Sequence, residues 1–103
     1  MIYLNKPMVK EIEWAELLKA LAHPVRLRIV ERLMEDESCV KDIWSCLDLP
    51  QAVVSQHLSI LRNKNIVGFE REGNKVKYYV KDEKVKEIIK ILKKEGSSEN
   101  ATL

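Results

Sequence analysis

The 103-residue sequence predicts a single, mainly α-helical domain that carries a small β-hairpin. Apolar residues recur at helical spacing through residues 8–63, alternate with polar residues as in strands through 66–80, and return to helical spacing from residue 82. The apolar share of 46% and the charged share of 33% are typical of a folded domain. A chain of this length holds one hydrophobic core.

Two helices are predicted in the first third of the chain. The first spans about Met8 to Ala20. The second begins at Pro24, because proline is tolerated in the first turn of a helix. In this second helix Val25, Ile29 and Leu33 recur every four residues and predict an apolar stripe.

The next two helices form a pair joined by a short turn. The third spans about Val40 to Leu47, after an acidic segment and Ser38 that supply N-cap candidates. The fourth spans Gln51 to Asn63, and residues 48–50 form the turn between them. Such a pair is a helix-turn-helix candidate. The inward-facing apolar residues of the fourth helix are Val54, Leu58 and Leu61.

A hairpin follows the fourth helix. Residues 66–71 and 75–80 predict two strands, and Glu72-Gly73-Asn74 supplies the positive-φ residues of the turn between them. Because successive side chains of a strand point to opposite faces, either Tyr78 or Tyr79 is expected to be exposed or at an edge.

A last helix is predicted from Asp82, its N-cap, to about Lys94. The domain is therefore expected to span residues 1–95, and residues 96–103 are expected to be a disordered tail because they have nothing to bury. The order of elements is α-α-α-α-β-β-α. A two-stranded hairpin is barely stable alone and must lean on the helices, so the arrangement is that of a winged helix-turn-helix.

The basic residues are concentrated in the second half of the chain. Residues 1–50 carry seven Lys or Arg and nine Asp or Glu, a net charge of −2, whereas residues 51–103 carry eleven and seven, a net charge of +4. This excess is consistent with a polyanion partner, and equally with a solvated basic face.

The polar side of the fourth helix has the residue types that read DNA bases. The second helix of a helix-turn-helix lies in the major groove, where Gln pairs with adenine, Ser with either base type, and Ala contacts the thymine methyl group. Small uncharged residues are unusual on the solvent face of so highly charged a protein, and this favours a DNA-binding face over an ordinary polar surface. The predicted DNA-binding residues of this helix are Gln51, Ala52, Ser55, Gln56, Ser59 and Arg62.

Other residues are predicted to support this helix. His57 flanks the apolar stripe, and the sequence leaves open whether it contacts DNA or bridges the helix to its neighbours. The hairpin carries Arg71, Lys75 and Lys77 close to its tip. These three are expected to contact phosphates, which positions a protein on DNA without specifying sequence.

A family resemblance is carried by LLKALAHPVRLRIVERL at residues 17–33, by residues 38–80 and by the last helix, and so by nearly the whole ordered chain. Its more specific parts are the Ser-Gln-His-Leu…Leu stretch at 55–61 and the Glu-Gly-Asn-Lys of the hairpin. These segments are similar to one known family. They resemble the ArsR/SmtB family of metal- and thiol-responsive repressors. The resemblance implies a homodimer, paired through the first and last helices, that leaves double-stranded operator DNA when an inducer binds. The apolar residues that such pairing would cover include Trp14, Ile88 and Leu92.

The metal ligands of that family are mostly missing. Where one family site has Cys-Val-Cys, this chain has Cys39-Val40-Lys41, and the neighbouring position used by arsenic sensors is Trp44. A second family site uses histidines of the last helix, whereas no histidine follows His57 here. No metal site within one chain and no cofactor is predicted.

Cys39 and Cys46 are the sensor candidates. If one helix held both, they would lie about 10.5 Å apart along its axis, beyond the roughly 7 Å between Cα atoms that a disulfide allows. With Cys39 in the preceding loop the gap would be shorter, without clearly coming within that limit. Cys39, near a helix N-terminus, is expected to be the reactive thiol, and Cys46 a core residue. Three possibilities stay open: no cysteine sensing, thiol oxidation or persulfidation, and a metalloid site completed by a second subunit.

The alternative function is a winged-helix protein-interaction module whose basic wing binds an acidic protein partner. An enzyme is not predicted, because the sequence has no glycine-rich phosphate loop and no nucleophile–base pair at meaningful spacing. Neither a signal peptide nor a membrane-spanning segment is recognised, so a cytoplasmic location is expected.

Overall fold

The computed structural model describes residues 7–99. Within that range no helix is long and apolar enough to cross a membrane. The elements, in chain order, are α1 (Val9–Leu21), α2 (Pro24–Glu35), α3 (Glu37–Lys41), α4 (Ile43–Cys46), α5 (Gln51–Asn63), β1 (Val67–Glu72), β2 (Lys75–Val80) and α6 (Glu83–Glu99).

Most predicted elements form within one or two residues of their expected bounds. Pro24 occupies the first turn of α2, and the His23 ring caps that helix by accepting a hydrogen bond from the Val25 amide at 3.1 Å. Asp82 caps α6 through bonds from two amides of its first turn. The last helix continues to Glu99 rather than ending near Lys94. Residues 100–103 of the predicted tail lie outside the described range.

The predicted third helix, Val40–Leu47, is wrong in its form. It is two short helices, α3 and α4, separated at Asp42, whose φ of −150° and ψ of 86° are not helical. The Asp42 carboxylate accepts a hydrogen bond from the Ser45 hydroxyl at 2.8 Å. Aspartate bonds to nearby groups at helix starts and disfavours helix interiors, so a helix ends and another begins there.

The bend at Asp42 overturns the geometric argument about the cysteines. Cys39 and Cys46 lie 5.2 Å apart between Cα atoms and form a disulfide. The separation of about 10.5 Å applies only to an unbroken helix. Because the chain folds back between α3 and α4, the two side chains meet across the corner.

The core lies where the inner faces of the helices meet the base of the hairpin. Ile29 and Val30 of α2, Val54 and Leu61 of α5, and Ile66 just before β1 are among its fully or almost fully buried side chains. The inward stripe predicted for α5 is therefore confirmed: Val54, Leu58 and Leu61 are all buried. α1 contributes little, since only Ala20 and Leu21 of its 13 residues are buried.

The hairpin pairs antiparallel in the predicted order. Its register aligns Phe69 with Tyr78 and Glu72 with Lys75, and the turn between them has Gly73 at a positive φ of 64°. Glycine adopts this left-handed conformation without the steric cost of a Cβ. As predicted, the two tyrosines face opposite ways, with Tyr78 half-buried and Tyr79 exposed.

Candidate nucleic-acid interface

The polar side of α5 is fully presented to solvent. All six residues predicted to point outward, Gln51, Ala52, Ser55, Gln56, Ser59 and Arg62, are exposed. The opposite side of the helix packs against α2 and β1. None of the six carries an acidic group. The outer face therefore presents amide, hydroxyl and methyl groups, with one guanidinium group, that of Arg62, in the last turn of the helix.

The amino end of α5 has free backbone donors. Pro50 is the N-cap residue and provides no side-chain cap, while its carbonyl accepts bonds from the amides of Val53 and Val54. The amides of Gln51 and Ala52 precede these and point along the helix axis. An uncapped helix start of this kind favours an anion such as a DNA phosphate.

The three basic residues of the hairpin do not share one face. Arg71 lies on the face of Phe69 and Tyr78, whereas Lys75 and Lys77 belong to the opposite face by the strand register. Lys77 is ion-paired with Glu72, with 3.0 Å between its Nζ and a carboxylate oxygen. Lys75, next to the turn, is exposed.

An aromatic column joins the hairpin to the helix-turn-helix. Phe69 lies 6.0 Å from Tyr78 between ring centroids, and Tyr78 lies 6.5 Å from Trp44 of α4 in an edge-to-face arrangement. Two guanidinium groups approach the Phe69 ring: Cζ of Arg62 lies 4.5 Å and Cζ of Arg71 lies 5.9 Å from its centroid.

His57 is tied to two earlier elements. Its ring lies 4.2 Å from the His23 ring between centroids, and its Nδ1 accepts a hydrogen bond from Nη1 of Arg26 at 3.1 Å. Since a guanidinium can only donate, this nitrogen of His57 carries no proton. Arg26 also donates from Nε to the Ala20 carbonyl at the end of α1, 2.5 Å away. The cluster therefore connects α1, α2 and α5.

Burial is the main cause that lowers the pKa of His57 below its ordinary value of 6.5, and the charges of His23 and Arg26 lower it further. A protonated His57 would lose its acceptor atom and place a second positive charge against Arg26. The neutral ring is thus the form that fits the cluster.

The cysteine pair lies behind the interface, at the corner of the helix-turn-helix. Cys39 is fully buried and Cys46 is half-buried. Cys46 is thus the more exposed residue of the pair, although the sequence had suggested Cys39 as the reactive thiol. Over residues 7–99 there is no group of three or more His, Cys, Asp or Glu side chains that could hold a metal ion.

The sequence did not indicate the residues that hold the predicted DNA-binding side chains in position. Arg26 looks like one of several polar residues on the outer side of α2, and nothing in the spacing links it to His57, 31 positions later. Phe69 and Tyr78 lie in the two predicted strands, but nothing in the strand pattern indicates that two arginines lie over the Phe69 ring. A cross-strand aromatic pair is the one available signal, once the hairpin register is known.

The order and packing of these elements define a winged helix-turn-helix domain. Residues 23–68 match the family model described as bacterial regulatory protein, arsR family. The chain is 45% identical over 74 residues to the transcriptional repressor SmtB of Mycobacterium tuberculosis, covering 72% of this chain and 55% of that protein. It is 44% identical over 79 residues to the transcriptional repressor PagR of Bacillus anthracis, covering 76% and 79%.

Solved structures of similar proteins have the same fold. The crystal structure of PagR matches with a TM-score of 0.70 and 41% identity, over 82% of this chain and 97% of that one. HlyU from Vibrio cholerae matches with a TM-score of 0.72 and 34% identity, over 86% and 94%. This chain belongs to the ArsR family of bacterial regulatory proteins, as its resemblance implied. It spans about half the length of the SmtB relative.

The lowered pKa of His57 predicts a pH-dependent contribution to stability. The unfolded chain binds a proton at a higher pH than the folded one, so this contribution is complete above about pH 6.5 and is lost as the pH falls toward the native pKa. Urea unfolding at about pH 7.5 and about pH 5.5 should show a larger loss of stability for the wild type than for His57→Gln. Equal losses in the two proteins would contradict this role.

Proposed function

We propose that this protein is a sequence-specific repressor that binds double-stranded operator DNA in the cytoplasm and is released from it by an inducer. The observation that carries this proposal is the outer face of α5: exposed, uncharged until Arg62, and buried on its other side. A helix of this kind presents base-reading groups to the major groove while the fold supports it from behind. The similar proteins SmtB and PagR are transcriptional repressors.

Base reading is assigned to the middle of the outer face. Ser55 and Gln56 lie there, with Ala52 one turn earlier and Ser59 one turn later. Gln offers a donor and an acceptor to adenine, and serine can pair with either base type. Gln51 and the free amides beside it suit the nearest phosphate or base, since they lie at the positive end of the helix dipole.

Phosphate contacts are assigned to the cationic groups around this face. Arg62 ends the helix, and Arg71 and Lys75 lie on the hairpin, which acts as the wing. Lys77 contributes less, because Glu72 already neutralises part of its charge. His57 holds the helix through Arg26 rather than reading bases, as its hydrogen bond and partial burial favour.

The alternative of a module for acidic proteins has less support, because it leaves the uncharged face of α5 without a role. Gel shifts separate the two functions: a repressor binds duplex DNA with an affinity that falls as the salt concentration rises, whereas a protein-interaction module does not bind duplex DNA in this way.

Substituting base-reading and phosphate-binding residues should have different effects. Ser55→Ala with Gln56→Ala should reduce discrimination between operator and random duplex, by about 1–3 kcal/mol for each base that is no longer read. Lys75→Ala should instead weaken binding to both duplexes alike and reduce the salt slope by about one. Lys90→Ala removes the same charge from the far side of α6 and serves as control. Equal losses on operator and random DNA for the first variant would refute base reading.

We propose that the active form is a homodimer paired through α1 and α6. Side chains of both helices are exposed in the single chain although they are apolar, and a cleft of about 250 Å³ between them is lined by Trp14, Leu18 and Ile88, among others. A helix with only its last two residues buried gains little stability from its own chain. A second copy would cover both faces and present two recognition helices to successive major grooves. The exposed apolar residues are Val9, Ile12, Trp14, Leu18, Ile91 and Leu92.

A charge placed in this apolar face should separate the subunits. Leu18→Glu with Leu92→Glu should yield a monomer of 12.0 kDa where the wild type has twice that mass, measured by light scattering during gel filtration. Operator affinity should fall with it, since a monomer reaches one half-site only. Lys90→Glu, on the polar side of α6, should stay dimeric. A wild-type monomer at the concentrations that bind DNA would exclude the proposal.

For the inducer, we propose thiol oxidation at the Cys39–Cys46 pair. The disulfide spans the corner between α3 and α4, and α3 packs against α2 and β2, the helix behind α5 and the second strand of the hairpin. Among the side chains that the structure describes, no group of three or more His, Cys, Asp or Glu could hold a metal ion within one chain. Two thiols whose backbone positions already meet can instead interconvert with a disulfide without unfolding the domain.

The chemistry follows from the burial of the two sulfurs. With hydrogen peroxide as oxidant, half-buried Cys46 loses its thiol proton and its thiolate attacks one oxygen; the O–O bond breaks, a sulfenic acid forms, and the departing hydroxide takes up that proton to give water. The thiolate of buried Cys39 then attacks this sulfur and displaces a second water. Two thiols and one peroxide thus give a disulfide and two waters.

Oxidation should lower operator affinity by at least about fivefold, the lower end of typical coupling between two sites. The measurement compares gel shifts of reduced and peroxide-treated protein, and dithiothreitol should restore binding. Cys46→Ser should bind like the reduced wild type and not respond. Cys39→Ser should also bind like the reduced wild type and not respond to peroxide, although the buried serine hydroxyl will lower the stability of the domain. Release by peroxide, persulfide or arsenite that persists in both variants would exclude cysteine sensing.

A further inference from the structure

The Phe69 ring is the meeting point of two cations from different elements. Arg62 ends the recognition helix and Arg71 lies on strand β1, yet both guanidinium carbons lie within 6 Å of the centroid of this ring, at 4.5 and 5.9 Å. The negative face of an aromatic ring attracts a cation at this distance even where the site is exposed to water. One ring therefore sets where both positive charges lie.

The arginines keep their hydrogen-bond donors for another partner. Among residues 7–99 neither Arg62 nor Arg71 forms an ion pair, although Glu70 and Glu72 are close in sequence. A carboxylate would occupy the guanidinium N–H groups, whereas an aromatic ring attracts the charge without supplying an oxygen acceptor. The pair is thus held in place but remains available to phosphate oxygens.

The ring itself is held from behind. Phe69 is the register partner of Tyr78, and Tyr78 is in edge-to-face contact with Trp44, which lies between the two cysteines of the disulfide. Phe69 nevertheless stays outside the hydrophobic core, with 36% of its surface exposed. A large apolar residue in that position contributes little to core packing, so its contact with the arginines is the feature that distinguishes it.

We propose that Phe69 is a positioning residue for operator binding. Its ring holds Arg62 and Arg71 at a set spacing before DNA arrives, so that the recognition helix and the wing engage neighbouring phosphates together. This inference rests on the proposed DNA-binding function. Preorganisation raises affinity because the two long side chains lose less conformational freedom on binding.

The test compares substitutions of Phe69 in the full-length protein, with every sample reduced by dithiothreitol so that the state of the Cys39–Cys46 pair is the same throughout. Binding to a labelled duplex of the promoter upstream of its own gene is measured by fluorescence anisotropy. Phe69→Leu keeps an apolar contact with Tyr78 but lacks the ring, and should weaken binding by about 5- to 30-fold, because DNA must then order two long, mobile side chains. Phe69→Tyr keeps the ring face and should remain within about twofold of the wild type.

A matched control comes from the opposite face of the hairpin. Tyr79 is similarly exposed, at 39%, and among the described residues no cation lies over its ring. Tyr79→Leu should leave affinity unchanged. Urea unfolding of the Phe69 variants shows whether the wing remains folded.

A background that lacks both arginines separates positioning from a structural role. In Arg62→Ala with Arg71→Ala, adding Phe69→Leu should have no further effect, because the ring then has no cation to hold. The same loss in both backgrounds, or wild-type affinity for Phe69→Leu, would overturn the proposal. Absence of salt-sensitive operator binding by the wild type would instead refute the proposed function itself.

Discussion

Burial of one stripe of α5 is the constraint on which the rest of the surface depends. Val54, Leu58 and Leu61 are all buried, and each contributes about 1.5–3 kcal/mol by leaving water. A rotation of the helix by one residue, about 100°, would bury Ser55 and expose one of these aliphatic chains. The packing thus sets the rotation of the helix, and the polar face points outward as a consequence.

Around that helix, weaker contacts determine where the functional groups lie. The hydrogen bond between Arg26 and His57 joins the helix to α1 and α2, and the Phe69 ring joins its last turn to the wing. Each of these interactions is partly solvated and small beside core burial. They are suited to positioning charges, because they can be changed without unfolding the domain.

The order of elements, the caps and the turn could be predicted because their causes are local. Pro24 and Asp82 start helices through their own side chains, and Gly73 permits the backbone of the turn. The outward set of α5 was equally predictable, since the 3.6-residue period leaves little choice once one face is apolar. The break at Asp42 was missed because the apolar spacing of the third helix continues across it.

The sequence by itself determined the winged helix-turn-helix and the residues that its recognition helix exposes, because apolar periodicity and local hydrogen bonding depend on residues that are close together in the sequence. Only the tertiary structure decided that Cys39 meets Cys46, that Arg26 holds His57, and that two arginines converge on one ring. These contacts depend on the bend at one corner and on how the elements pack together. Neither the bend nor the packing of the elements can be predicted from the spacing of residues along the chain.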